Sequence, residues 1–152
     1  MEEDLRELYQ QVILDHGRKP RNFGPLEDAN HEAEGFNPLC GDQIHVFLKV
    51  TPDETVHSAR FTGSGCTICT ASASLMTASI QGKSRQEIGA MFERFHDLVA
   101  GEDGKKSSEE LLGKLNVFGG VREFPIRVKC ATLPWHTLKA ALDEDHKVVS
   151  TE

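Results

Sequence analysis

Two neighbouring segments in the first half of the chain alternate in polarity, and this alternation is the strongest constraint on the fold. In residues 43–50 every second residue is Ile, Val or Leu, and residues 56–62 form a second strand-like segment. Alternation with a period of two predicts a strand with one buried face. The connection, residues 51–54, carries the turn-forming pair Pro52 and Asp53. We therefore predict an antiparallel β-hairpin.

Helical patterns surround this hairpin. Apolar residues recur at helical spacing in residues 5–16 and in residues 88–99, and a helix crowded with small residues is predicted over residues 67–81. The polar segment 28–37 is expected to contain a short edge strand. Further along, we predict a short helix from residue 107 to residue 115, irregular structure over 117–124, extended chain over 125–129 and a last helix from Cys130, with Pro134 in its first turn.

These elements predict the α+β fold class. The chain has 152 residues and is 38% hydrophobic, which suits one compact domain with a real core. We expect a single domain over residues 1–152, built on a small three-stranded antiparallel sheet with helices packed on one face. A polar tail is expected from about residue 143.

Charge and hydropathy exclude several classes of function. Lys and Arg number 17 against 24 Asp and Glu, which gives a net charge of −7, so the clustered positive charge of a nucleic-acid-binding surface is not expected. The acidic start is followed by no apolar run typical of a signal peptide or a membrane span. We expect a cytoplasmic protein without a nucleic-acid or membrane partner, whose four cysteines stay reduced.

Three cysteines and one aspartate have the chemistry of a metal site. Gly41 can adopt a positive φ at little cost, so a turn there can direct the Cys40 sulfur and the Asp42 oxygen to one point. Cys66 and Cys130 each stand at a predicted helix start, where partial positive charge stabilises a thiolate. Such a donor set suits a tetrahedral zinc ion. It could also hold a labile iron–sulfur cluster, because carboxylate is a poorer ligand than thiolate for the iron of such clusters.

The residues alone leave alternatives open. The stretch from Cys40 to Asp42 is also typical of a surface turn before a strand. Cys66 and Cys69 form a C-x-x-C pattern, so a four-thiolate site without Asp42 is an alternative, although Cys69 could simply pack in the helix. His136 follows Cys130 by six residues, but no histidine is singled out as the base of a Cys–His nucleophile pair.

Several stretches, in order along the chain, are similar to one family. Asn37-Pro38-Leu39-Cys40-Gly41-Asp42, Gly63-Ser64-Gly65-Cys66 and Arg127-Val128-Lys129-Cys130-Ala131-Thr132-Leu133 carry the resemblance, together with residues 8–9, 13–16, 20–24, 71–76 and 135–136. They resemble the IscU/NifU N-terminal family of iron–sulfur cluster assembly proteins. That family implies a small antiparallel sheet with helices on one face and a metal site at one exposed end.

Within this family the chain resembles the SufU type. Lys129 stands where the scaffold branch has a histidine, and the segment between the second and third cysteines is longer, over residues 100–124. The resemblance implies a zinc-dependent sulfurtransferase that accepts persulfide sulfur from a SufS-type cysteine desulfurase on Cys40. Downstream iron–sulfur assembly proteins would receive the sulfur. It implies metal ligation by Cys40, Asp42, Cys66 and Cys130.

Two other functions remain open at this point. The same ligands could hold an iron–sulfur cluster, or iron, on an assembly scaffold, with Asp42 keeping the cluster labile. Alternatively, the chain is a structural zinc-binding module that binds partners without chemistry. Arg127 and Lys129 could stabilise anionic sulfur or dock the partner, or simply form a solvated basic surface. Cys69 departs from the family, which usually has serine at that position.

Overall fold

The structure is a computed structural model that describes residues 2–38, 41–100, 113–143 and 149–150. The helices are α1 (Glu2–Arg18), α2 (Thr67–Ile80), α3 (Arg85–Ala100) and α4 (Pro125–Leu142), with a 3₁₀ helix over Gly113–Glu123. The strands are β1 (His31–Asn37), β2 (Asp42–Val50), β3 (Val56–Ser64) and β4 (Val149–Ser150). Within the described residues, no helix has both the length and the hydrophobicity needed to cross a membrane.

The strands form one sheet in the order β3-β2-β1-β4. β2 pairs antiparallel with both β1 and β3, which confirms the predicted hairpin and the three-stranded antiparallel sheet. The two-residue strand β4 adds a parallel edge beside Gly35 and Phe36 of β1. This pairing joins residues far apart in the sequence, and the polar composition of the tail gave no sign of it.

One face of the sheet carries the core. In β2, Ile44, Val46 and Leu48 are buried while His45 and Phe47 between them are only half-buried, as the alternation predicts. α4 packs against β1 and β2, α2 packs against β3 and α4, and α1 and α3 form an outer layer on these two helices. Each fully buried aliphatic side chain contributes about 1.5–3 kcal/mol relative to exposure, so this face is a main source of stability.

The centre of the helical layer is α2. Its small residues Ala71 and Ala73 are fully buried, as expected for a helix that lies close to its neighbours. The buried Ser72 hydroxyl donates a 2.6 Å hydrogen bond to the Ala131 carbonyl of α4. The next helix, α3, begins with the predicted capping box, in which Ser84 and Glu87 exchange backbone and side-chain hydrogen bonds of 3.1 and 3.2 Å.

The prediction for the last helix was wrong. Residues 125–129 are not extended, because α4 begins at Pro125 rather than at Cys130, and Pro134 lies inside the helix instead of in its first turn. Pro125 takes the first helical position, where a missing N–H costs little. Pro134 cannot donate the helical hydrogen bond to the Cys130 carbonyl, and the Ser72 hydrogen bond to the following carbonyl supports this turn.

The segment before α4 also differs from its prediction. Residues 117–124 were expected to be irregular, but Gly113–Glu123 forms a 3₁₀ helix in which Leu115 and Phe118 are fully buried. The Phe118 ring packs edge-on against Phe95 of α3. The start of the short helix predicted from residue 107 lies outside the described residues.

Candidate metal centre

Three of the four predicted metal ligands meet at the end of the sheet where β1 ends and β2 begins. Asp42 is the first residue of β2, Cys66 directly precedes α2, and Cys130 lies in the second turn of α4. A carboxylate oxygen of Asp42 and the two sulfur atoms all lie within 4.8 Å of one another. The fourth predicted ligand, Cys40, lies outside the described residues, so its place in the site stays a prediction.

Asp42 is a fully buried acidic side chain. Its Oδ1 accepts a 2.8 Å hydrogen bond from the Cys66 backbone N–H, and its Oδ2 accepts one of 3.3 Å from the Asn37 side-chain amide. Both donors are neutral, and among the described residues no Lys, Arg or His forms an ion pair with Asp42. A buried carboxylate costs several kcal/mol unless a cation compensates it, and a metal ion between these three donors would be that cation.

Asn37 is a residue of the site that the sequence reasoning did not identify as functional. It is fully buried, and its amide reaches both the Asp42 carboxylate and the Cys130 sulfur, the latter at 3.6 Å. Asn37 and Asp42 are direct partners in the register of β1 and β2. The burial alternation of β1 places Ala33, Gly35 and Asn37 inward, so an inward polar residue at a strand end was the available signal.

Two glycines shape the backbone around Asp42. Gly41 has a φ of +71°, which confirms the predicted sharp turn and favours glycine. At Gly65, an added Cβ would lie 2.5 Å from Asp42 Oδ1. The absence of a side chain at Gly65 therefore lets the start of α2 lie directly against the carboxylate.

Cys66 stands at the start of a helix, as predicted. It is the N-cap residue of α2, with an extended conformation, and its sulfur accepts a 3.4 Å hydrogen bond from the Cys69 backbone N–H. Cys66 is half-buried, whereas Cys69 is only 3% exposed and packs in the core. Within the described residues, the grouping of possible ligands contains Asp42, Cys66 and Cys130 but not Cys69.

Cys130 does not stand at a helix start, which corrects the reason given for its place in the site. It is the sixth residue of α4, and the charge effect of a helix terminus falls off within the first turn. Its fully buried sulfur instead contacts the Asn37 amide, and its thiol lies 3.7 Å from the Ile126 carbonyl one turn earlier. The fold brings Cys130 to the site without the help of a helix terminus.

No histidine of the described residues joins this group of donors. His136 packs edge-on against the Phe92 ring at 5.3 Å and lies near His96. Burial lowers the pKa of His136 below its ordinary value of 6.5, and the nearby charges of His96 and Lys139 add to the effect. These contacts are those of a packed residue between α3 and α4.

Two large apolar side chains are exposed near the centre. Phe124 and Ile126, at the start of α4, are 60% and 61% exposed. The backbone carbonyl of Ile126 contacts the Cys130 thiol, so Ile126 lies about one helical turn from a candidate metal ligand, and Phe124 is two residues further away in the sequence. Large exposed apolar side chains next to a site are typical of a contact surface.

The described donors fit a metal ion of intermediate hardness. Two sulfurs and one carboxylate oxygen match zinc, which accepts all three atom types, and they also match the thiolate preference of iron–sulfur clusters. Three protein ligands leave a tetrahedral ion one position for a further ligand. Cys40, two positions before Asp42 in the sequence, is the predicted occupant of that position.

Comparison with known proteins finds one matching family and several similar relatives. The family model described as "NifU-like N terminal domain" matches residues 8–143. The chain is 40% identical over 142 residues to "Zinc-dependent sulfurtransferase SufU" of Bacillus subtilis, covering 93% of this chain and 94% of the relative. It is 39% identical over 138 residues to "Iron-sulfur cluster assembly scaffold protein IscU" of Streptococcus pyogenes serotype M1, covering 91% and 84%.

A solved structure shares the fold. The crystal structure of a putative iron–sulfur cluster assembly scaffold protein for the SUF system, from Fervidobacterium islandicum AW-1, superposes with a TM-score of 0.81 at 34% sequence identity. The match covers 90% of this chain and 98% of the other. The resemblance read from the sequence motifs is thereby confirmed.

Proposed function

This chain belongs to the family of NifU-like N-terminal domains, and from that premise we propose that it is an iron–sulfur cluster assembly protein working as a zinc-dependent sulfurtransferase. The observation that carries the proposal is the group formed by Asp42, Cys66 and Cys130, whose ligand atoms lie within 4.8 Å of one another. Its buried carboxylate forms no ion pair with a cationic side chain of the described residues. We place its work in the cytoplasm, where thiols stay reduced.

Asp42, Cys66 and Cys130 would hold the metal, with Cys40 as the fourth ligand. A bound zinc ion would keep the coordinating thiols deprotonated and the four residues ordered. The side-chain amide of Asn37 donates hydrogen bonds to the Asp42 carboxylate and the Cys130 sulfur. Such supporting hydrogen bonds orient ligands and tune their basicity.

Cys40 is the proposed sulfur acceptor. A SufS-type cysteine desulfurase would present a persulfide on its own cysteine. The Cys40 thiolate attacks the terminal sulfur, the sulfur–sulfur bond of the partner's persulfide breaks, and its electron pair leaves with the desulfurase cysteine as thiolate. The products are a Cys40 persulfide and a regenerated partner thiol, so no external oxidant or reductant is needed.

The partner is proposed to dock on the surface beside the centre. Ile126, about one helical turn before Cys130, and Phe124 at the N-cap of α4 offer exposed apolar area. Arg127 and Lys129 lie on the same helical segment and add positive charge beside it. Apolar anchors surrounded by charge are the usual composition of a contact that must form and separate.

A second function is supported by the names of two relatives. The Streptococcus protein and the Fervidobacterium structure are both described as assembly scaffolds, and the same donors could hold a transient iron–sulfur cluster as cargo. A purely structural zinc module is a weaker alternative. The sheet and helices bury a continuous core of their own, whereas small modules that depend on zinc lack one.

The proposal is tested by adding the protein to its cysteine desulfurase and measuring the release of alanine. We expect about one zinc per chain after aerobic purification, a faster release with the wild-type protein, and no stimulation with Cys40→Ala. Mass spectrometry should find one added sulfur atom on the peptide that carries Cys40. Cys69→Ser serves as the matched control, because it removes a cysteine and leaves the proposed ligands in place.

The outcomes separate the candidates. Stimulation by Cys40→Ala equal to that of the wild type would rule out the carrier mechanism. No stimulation by the wild type, together with a stable cluster chromophore after anaerobic reconstitution, would establish the scaffold instead. Unfolding of the domain on removal of zinc would favour the structural module.

A further inference from the structure

We infer that Cys66 and Cys69 form a redox-active dithiol pair, which a hydroperoxide converts to an intramolecular disulfide that releases the metal. Cys69 has no role in the proposed sulfur transfer and is absent from the group of metal donors. The disulfide rests on the geometry of these two residues alone. The release of the metal rests on the proposed function.

The start of α2 brings the two cysteines together. As the N-cap residue, Cys66 has a φ of −71° and a ψ of 165°, and its side chain turns back over the first helical turn to accept the Cys69 N–H at 3.4 Å. The Cys69 sulfur is three covalent bonds from that same nitrogen. The C-x-x-C spacing at a helix start is one that thiol–disulfide chemistry uses, and both thiols are reduced in the structure.

Exposure gives the two thiols different roles. Cys66 is half-buried and can meet a small oxidant, whereas Cys69 is only 3% exposed. A hydroperoxide would therefore oxidise Cys66 first, to a sulfenic acid, with its own reduction to water or an alcohol. The Cys69 thiol then attacks the Cys66 sulfur, and the sulfenic oxygen leaves as water. The two electrons taken up by the peroxide come from the two sulfurs.

The disulfide would remove one metal ligand from the centre. Zinc binds cysteine as the thiolate. Cys66 cannot supply a thiolate once its sulfur is bonded to the sulfur of Cys69. Of the described donors only Asp42 and Cys130 would remain. A reductant restores the Cys66 thiol, so the loss of metal is reversible.

The test uses the zinc-loaded protein treated with hydrogen peroxide, alkylated and digested with trypsin. Cleavage after Arg60 and Lys83 gives one peptide that contains both Cys66 and Cys69, while Cys40 and Cys130 fall in two other peptides. The expected product is this single peptide, unalkylated and lighter by two hydrogen atoms. A chromogenic chelator should record the release of zinc in parallel, and a thiol reductant should allow zinc to bind again.

Cys69→Ser provides the matched variant, with Cys69→Ala as a second in case serine disturbs the core. Without the second thiol, no disulfide can capture the Cys66 sulfenic acid, and excess peroxide oxidises it irreversibly to the sulfinic acid, so a thiol reductant should restore about tenfold less zinc binding than in the wild type. Full recovery of zinc binding by both variants after the reductant would overturn the inference. So would peptides that join Cys66 to Cys40 or Cys130 as the main product.

The test is separable from the sulfurtransferase assay. The disulfide is read from peptide masses in the metal-free protein as well, without any desulfurase. If the intramolecular disulfide forms while the desulfurase is not stimulated, the dithiol pair stands and the proposed function fails. If the desulfurase is stimulated and no such disulfide forms, the proposed function stands and the dithiol pair is ruled out.

Discussion

The backbone N–H of Cys66 donates a 2.8 Å hydrogen bond to the buried carboxylate of Asp42. This contact joins the start of α2 to the start of β2 and holds two candidate metal ligands, Asp42 and Cys66, next to each other. It depends on Gly65, the residue between β3 and Cys66, since an added Cβ there would lie 2.5 Å from Asp42 Oδ1.

Gly65→Ala should therefore damage both the fold and the centre. Displacing the Asp42 side chain should lower the free energy of unfolding by about 1–3 kcal/mol, as overpacking does, and weaken zinc binding. Gly89→Ala is the control, because Gly89 is an exposed residue inside α3 with no atom near its added Cβ. The free energy of unfolding of Gly89→Ala should rise by about 0.5–1 kcal/mol, because alanine is favoured over glycine inside a helix. Urea unfolding and zinc titration measure both, and equal effects of the two variants would contradict the role of Gly65.

Asn37→Ala should weaken the metal centre without removing a ligand. Loss of the amide leaves Asp42 Oδ2 without its hydrogen bond and frees the Cys130 sulfur from the same contact. We expect zinc affinity to fall about 10–100-fold, the range for residues that support metal ligands. Asn30→Ala is the control, since Asn30 bonds the backbone of Val50 at the opposite end of the sheet. Zinc affinity is measured by competition with a chelator, and it should be unchanged in Asn30→Ala. A similar loss of affinity in both variants would refute the proposed role of Asn37 in supporting the metal ligands.

Ile126→Ser tests the proposed contact surface. Because the Ile126 side chain is 61% exposed, its loss should leave the free energy of unfolding nearly unchanged. The concentration that half-saturates the desulfurase should rise about tenfold, equivalent to about 1.4 kcal/mol for an apolar anchor. Leu14→Ser changes a large apolar residue that is 43% exposed on α1 and should leave this concentration unchanged. If Ile126→Ser behaves like Leu14→Ser, the partner does not bind here.

The stability of the domain should depend on pH through His136. Burial lowers the pKa of His136 in the folded protein, with His96 and Lys139 as further causes, so the unfolded chain binds its proton more readily. The stability that neutral His136 contributes is fully present at pH values above its ordinary pKa of 6.5. This stability is lost as the pH falls through the lower pKa of His136 in the folded state. His136→Gln should therefore lose less stability than the wild type between about pH 7.5 and about pH 5.5.

Urea unfolding of the metal-free protein at the two pH values measures this difference. His57→Gln is the control, because His57 is exposed on β3 beside Ser58. We expect that variant to follow the wild type. A pH dependence of His136→Gln as steep as that of the wild type would show that another group is responsible.

Local patterns in the sequence were enough for much of the fold. The alternation of Ile44, Val46 and Leu48 predicted β2 and its buried face, and Ser84 with Glu87 predicted the start of α3. The glycines before Cys66 predicted the start of α2. In each case the deciding interactions lie within a few residues of one another, so the sequence alone reveals them.

The errors have two origins, one local and one long-range. Pro125 takes the first helical position of α4 and marks its start, but Pro134 was assigned to the first turn instead, so the helix start was placed too late, and Cys130 with it. The contribution of Asn37 was hidden for another reason, because its partners Asp42 and Cys130 come together only in the folded sheet.

The wide spacing of the donors has a consequence for how the protein acquires its metal. Cys66 lies 24 positions from Asp42 in the sequence. Cys130 lies 93 positions from Asn37, whose amide contacts both Asp42 and Cys130. Contacts of such separation form late, since long loops must close first. A nascent chain offers only local pairs, such as Cys40 with Asp42 or Cys66 with Cys69, so the full set of candidate donors comes together only in a molecule that has finished folding.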